Sequence, residues 1–413
     1  MKHIFWKFAP FWMFLMLFKF GGGLHYSLIS PLGEKILPLW IVGLLMGGGS
    51  IVQLILDVPA GHIMDKWGYR RFLKITNFIF LFAGICLVFG LTKTTYLISI
   101  IISTFGWLFF GPGVSAYILS HAPKESAGKF ISMRDTFESA GIVLSSAALS
   151  FLIFLSPQHI GWILFGILLV SYIMLFFSPK DTQPVHTEKK IATQHHYVKR
   201  HFFTTTLKAV NRLNPASGTL LFLGLTGAIF YGTIWFVVPL VIAEQASAGV
   251  LSLGLGVFDF SIVVLGFLLG NLADKSNKRA LVFFGLLLFA FSGMILSFNF
   301  SWLFLIFGFL ATTGDEMAGI SLWSWLHALD KDHDHDGMIS GVINLFQDIG
   351  WAIGPILAGF TYETLGPTWA VLLGALPIFA TWIVYLFVMH RHGRPLFAPG
   401  IVPPKPHKPR HRT

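Results

Sequence analysis

The 413-residue sequence is 54% hydrophobic and only 12% charged, with 43 Phe and a mean hydropathy of +0.71. Such a chain carries too little charge to hold itself in water, so lipid is its solvent. A net charge of +10 with no large basic soluble domain argues against a nucleic-acid partner, and a single cysteine, Cys86, excludes an internal disulfide and a Cys-based metal site.

Taken in chain order, apolar runs fall at about 8–31, 37–62, 72–92, 95–120, 128–156, 159–178, 216–243, 247–272, 280–298, 301–328, 338–362 and 368–390. Each approaches or exceeds the ~20 residues that carry an α-helix across a bilayer core. Membrane strands would alternate apolar and polar residues, whereas these runs are continuously apolar, so the expected fold class is an all-α membrane protein of twelve spans. The first run is too long for a signal peptide, contains Lys19, and is followed by no small-residue cleavage site. With both termini in the cytoplasm, the inner side receives Lys2, Lys7, the cluster from Lys66 to Lys74, Lys124, Lys129, the stretch from Lys180 to Arg212, Lys275 to Arg279, Lys331 and the tail. The outer side keeps only Lys35 and Lys93. That asymmetry obeys the positive-inside rule and predicts a multi-pass protein of the cell membrane, the inner membrane in a bacterium.

The expected organisation is a six-span half at 1–178, a cytoplasmic linker at 179–215, a second six-span half at 216–390 and a disordered basic tail at 391–413. In the linker, Phe203, Leu207 and Val210 recur at helical spacing beside Lys208 and Arg212, as in a basic amphipathic helix lying on an anionic leaflet. The two halves share a loop. Gly61, Asp65, Lys66 and Arg70 return 209 residues later as Gly270, Asp274, Lys275 and Arg279, each time between two apolar runs. Glycine where a span ends permits close helix packing, and Gly68 permits a tight turn. The Asp can serve a helix N-terminus or a nearby Arg, while Lys66, Arg70 and Arg71 hold the loop inside.

At these residues the sequence resembles the major facilitator superfamily. Its signature loop, Gly-x-x-x-Asp-(Arg/Lys)-x-Gly-x-(Arg/Lys)-(Arg/Lys), is matched by Gly61, Asp65, Lys66, Gly68, Arg70 and Arg71, preceded by Asp57. The second copy has Asn277 in place of the second glycine. The resemblance implies two pseudo-symmetric six-helix bundles working by alternating access, with spans 1, 4, 7 and 10 lining a cavity, 2, 5, 8 and 11 gating it, and 3, 6, 9 and 12 facing outward. It also implies that Asp65 meets the cytoplasmic end of span 11 when the inner side is closed. Span 4 has no Arg, and span 5 lacks the Gly-Pro signature of many antiporters; a Gly-Pro pair, Gly354-Pro355, lies in span 11 instead.

Intramembrane charges provide an independent guide. Lys19 falls in span 1, Asp135 and Glu138 in 5, Asp259 in 8, Asp315 and Glu316 in 10, and Asp348 in 11. A charge at mid-helix costs on the order of 2.5–3.5 kcal/mol on insertion scales, so these groups should line a wet cavity or pair with each other. Arg134 and Glu138, four apart, form a candidate self-neutralising pair. Ser340, Asn344, Gln347 and Asp348 make a polar face on span 11, and Asn344 and Gln347 are the 209-offset counterparts of Asp135 and Glu138. Asp259 reads equally as a protonatable cavity group or a packing group. Lys19 with Asp315 or Glu316 is either a coupling pair or a permanent bridge, and neighbours on a helix diverge by ~100°, so only one of the two acids is expected to face the cavity. Trp107, Phe110, Tyr117, Tyr231, Trp235, Trp323 and Trp325 are candidates for stacking or cation–π contact with a solute, or for packing. Gly21-Gly22-Gly23 and Gly111-Pro112-Gly113 are expected to break regular helix.

The expected function is secondary active transport of a small organic solute, coupled to protons, by a monomer in the lipid bilayer. An exporter of amphipathic cations, a polytopic membrane enzyme and a non-transporting receptor are the alternatives. No Walker loop or nucleophile elbow appears, so no enzyme activity, cofactor or metal is expected. Asp332 to Gly337 imitates the start of a calcium loop but has Ile343 where the bidentate Glu is required.

Overall fold

A computed structural model describes residues 2–108, 110–121, 127–180, 215–244, 253–298, 300–329 and 336–391. The linker helix, the calcium-like stretch and the tail lie outside or at the edge of these residues. So do the side chains of Asp57, Asp65, Lys66 and Asp274 and the surroundings of Gly61. Described residues form α1 (Lys2–Glu34), α2 (Leu39–Trp67), α3 (Tyr69–Val88), α4 (Lys93–Leu108), α5 (Phe110–His121), α6 (Ala127–Leu152) and α7 (Pro157–Phe177) in the N-terminal half. The C-terminal half holds α8 (Pro215–Glu244), α9 (Gly254–Lys275), α10 (Lys278–Leu296), α11 (Trp302–Leu329), α12 (Asp336–Leu365) and α13 (Pro367–Arg391). Helices α4 and α5 are two segments of one span, so the fold is the expected all-α bundle of twelve spans.

Nine of the described spans are long and apolar enough to cross a membrane by length and composition alone. Helices α1, α6 and α9 fall short of that measure. Their 33, 26 and 22 residues nonetheless suffice at 1.5 Å per residue, and α6 owes its polarity to Arg134, Asp135 and Glu138. The punctuation is local chemistry. Gly366, at φ 87°, separates α12 from α13, which opens on Pro367 at its first turn, where a missing N–H costs nothing. Gly21-Gly22-Gly23 does not break helix as expected, since α1 runs unbroken through it; Gly111-Pro112-Gly113 lies in the first turn of α5, beside the division from α4. In α1 the absent Cβ atoms instead admit Leu168, Trp107 and Ser145.

Phenylalanine explains much of the N-terminal core. Phe8, Phe11, Phe14 and Phe18 of α1 pack with Phe80, Phe110, Tyr117 and Phe130, and Phe18 stacks on Phe110 at 4.1 Å. In the other half α8 is buried along nearly its whole length. Exposed Phe78, Phe82, Trp162, Phe177, Phe284, Phe291 and Phe387 give α3, α7, α10 and α13 apolar outer faces suited to lipid.

The halves meet along α2 with α12, α6 with α9, and α1 with α8. Gly43 and Gly47, early in α2, lie against the carbonyls of Pro355 and Ala352, and Gly359 of α12 lies against that of Leu39; a Cβ at any of the three would overlap a backbone oxygen. The Ser30 hydroxyl donates to the Phe236 carbonyl at 2.8 Å, again between halves. The glycine and Ser30 contacts fall on the side of the bundle opposite the repeated Gly–Asp–Lys–Arg loops. We call the two ends the far end and the motif end; the far end is closed.

Candidate binding cavity

A charged crossing of α1 and α6 lies at mid-depth in the N-terminal half. Gly141 rests against the Met16 carbonyl and the Lys19 Cβ, so the two helices touch at their backbones and Glu138, one turn away, meets the lysine. Lys19 Nζ is 3.1 Å from Glu138 Oε2, with the rings of Trp107 and Phe110 at 5.0 and 5.2 Å. Lysine 19 thus pairs with span 5 and not with the acids of span 10. Arg134 donates to Asp135 Oδ1 from Nε at 2.9 Å and from Nη2 at 2.7 Å, and from Nη1 to Ser115 Oγ at 2.9 Å. Its contact with Glu138 is longer, 3.8 Å. The expected Arg134–Glu138 pair is therefore a four-membered set in which two cations meet two acids.

Above this crossing lies a cavity of about 430 Å³. Lys19, Gln53, Asp259 and Asp348 supply its polar wall, and Tyr26, Trp107, Phe110, Trp235 and Trp351 its aromatic wall. Asp259 comes from α9 and faces Ser139, Lys19 and Glu138, so it is where the second half reaches the crossing.

A second cavity of about 260 Å³ lies between α8, α11 and α12. Tyr231, Asp315, Glu316, Trp323, Gln347 and Trp351 line it. The Tyr231 hydroxyl donates to Asp315 Oδ2 at 2.8 Å, and its ring stacks on Phe289. Both adjacent acids border this space, contrary to the expectation of one. The cavity wraps α11 far enough to take in the ~100° between them, with Asp315 turned towards α8. Among the described residues, no Lys, Arg or His lies within 4 Å of either acid. The polar face of α12 is divided, Asp348 bordering the first cavity and Gln347 the second.

The remaining sequence candidates serve structure in this arrangement. Tyr117 is buried and donates to the Pro179 carbonyl at 2.7 Å, and Trp325 is buried under the Arg279 guanidinium at 5.6 Å. Arg70 donates to the carbonyls of Leu175 and Phe176, capping the C-terminus of α7, while Arg71 and Lys275 are exposed. Gly68 has φ 86°, where glycine is at home; Asn277 at the matching place has φ −68° and caps α10 by accepting from the Arg279 N–H at 3.1 Å. Tyr26, Gln53 and Trp351 line the cavities without having been singled out. Gln53 was legible as a lone amide in an apolar span; the two aromatics had no distinguishing signal.

Comparisons with known proteins agree with this architecture. Two crystal structures, of the nucleoside transporter NupG and of a point mutant of it, superpose with TM-scores of 0.69 and 0.73 at 14% identity, covering 92% and 91% of this chain and 98% of theirs. No curated protein sequence matches. The sequence model of the Major Facilitator Superfamily matches residues 4–327 and, in a second alignment, 220–411. The chain is a membrane transporter belonging to the major facilitator superfamily.

Proposed function

We propose that this protein moves a small organic solute by alternating access, coupled to protons, and that Asp315 and Glu316 are the coupling acids. The observation that carries this reading is the second cavity: two carboxylates border it with a tyrosine hydroxyl as partner and no cation at ion-pair distance among the described residues. A carboxylate that borders a cavity with no cationic partner can exchange a proton with a solute or water that reaches it. With the motif end in the cytoplasm, which the basic loops favour, the seam closed at the far end is the one on the outer side of the membrane. A monomer suffices, since both cavities lie within one chain.

The solute is expected to be planar or cationic. Aromatic rings on both walls offer stacking faces, and Lys19 is already neutralised by Glu138, which leaves the cavity walls acidic. This favours the second reading, export of amphipathic cations. NupG is a nucleoside transporter, so nucleosides form the first panel to be tried and amphipathic amines the second.

The test is uptake of each labelled compound into proteoliposomes with and without an imposed pH gradient. Glu316→Gln or Asp315→Asn should lower gradient-driven uptake by about tenfold or more while sparing counterflow exchange, since only the proton-linked step loses its acid. Driven uptake unchanged by both substitutions would remove them as coupling groups.

A further inference from the structure

Helix α2 opens on a proline. Pro38 stands at its N-cap with φ −58° and ψ 143° and brings no side-chain acceptor. Its carbonyl takes the N–H groups of Ile41 and Val42. The Trp40 N–H, one of the orphan donors of a helix start, needs another partner. That partner comes from the opposite half: Trp40 N–H donates to Glu363 Oε2 at 3.1 Å.

Glu363 sits in the last turn of α12, which holds no basic residue. A carboxylate there meets the negative end of its own helix dipole, an unfavourable place, whereas at the start of α2 it meets the positive end. The residue is therefore ill-placed for its own helix and well placed for its neighbour, and only while the far end is shut. Tyr362 beside it points elsewhere, donating to Glu244 Oε1 at 2.7 Å within the C-terminal half. One residue braces a half and the next spans the seam.

We propose that Glu363 is a positioning residue of the transport cycle, a helix cap supplied by the opposite half that latches the far end and is given up whenever that end opens. The inference rests on the alternating-access reading. It requires nothing of the solute or of protons.

The test uses the full chain in lipid nanodiscs, with Cys86→Ser and spin labels at Lys93→Cys and Ser301→Cys, two exposed far-end positions in opposite halves. Pulsed electron resonance reads the distance distribution. Glu363→Ala should raise the long-distance population roughly fivefold, the effect of losing one helix cap. Glu363→Lys should raise it further, Glu363→Gln less, because an amide oxygen still accepts, and Tyr362→Phe should leave it unchanged. Gly47→Leu, or Gly43→Ala if that variant does not fold, wedges the seam and calibrates the open distance. A parent-like distribution in both Glu363→Ala and Glu363→Lys, beside a wedge variant that opens, would overturn the latch. A single distance in every variant, wedge included, would overturn alternating access and the latch with it.

Discussion

The two halves handle charge in opposite ways. In the N-terminal half, Lys19 and Arg134 answer Glu138 and Asp135, so four charged groups close on themselves at a helix crossing. In the C-terminal half, Asp259, Asp315, Glu316 and Asp348 border the cavities. The acid pair on α11 has Tyr231 as its neighbour and no lysine or arginine within reach among the described residues. A closed set of ions resists change, since removing one member strands another, whereas an acid with no paired cation strands none when it is replaced. The difference teaches that two halves with one helical scaffold carry unlike charge: one holds its ions in mutual pairs, the other leaves its acids along the cavities.

The sharpest way to break this comparison is to remove Lys19. Lys19→Met should lower stability by about 2 kcal/mol, read as a drop in the thermal midpoint, because Glu138 keeps only the longer contact with Arg134; the partial exposure of the pair holds the figure below that of a fully buried bridge. Adding Glu138→Met should restore most of it. Glu316→Gln should cost under about 1 kcal/mol on the same scale. Equal losses from Lys19→Met and Glu316→Gln would mean that both halves hold their charges alike.

The two copies of the loop provide a second, smaller contrast. Gly68→Ala forces a side chain onto φ 86° and ψ 143°, a conformation nearly exclusive to glycine, and should cost about 1–3 kcal/mol. Asn277→Gly, which merely copies the first half, should cost only a few tenths. Thermal melts of the two variants decide it, and a reversed order would mean that the turns are interchangeable.

The smallest effect is a pH dependence at the far end. Glu34, beyond the first apolar run, has its carboxyl raised above the ordinary glutamate range by burial and by Glu244 across the seam, with Lys35 partly offsetting them. A raised value in the closed state means that closure is favoured when Glu34 is protonated and weakened as pH rises through that raised value. The far-end spin-label distance should therefore lengthen slightly as pH rises above the ordinary glutamate value of about 4.3, and Glu34→Gln should flatten the response.

The helical fold class and its spans were legible because each is written in long-range composition, and every intramembrane charge was assigned to a helix by the apolar run that holds it. Partners were not. Lys19 could be given an acid but not the right one, since Gly141 decides that α6, not α11, touches α1 at that level. The same holds for the adjacent acids of α11: helical periodicity fixes the angle between Asp315 and Glu316 but not the width of the space facing them. Asn277 looked like a worn copy of a glycine. Its side-chain cap shows a different solution to the same turn, visible only once its φ is known.

Trp351 borders both cavities, so its indole is a party wall. Whatever presses on it from one side alters the room on the other, and two ligands that never touch would each change the other's affinity by the same factor. Occupancy of one chamber is then linked to occupancy of the other through the shared wall. Titration calorimetry with Trp351→Ala should turn linked binding into independent binding.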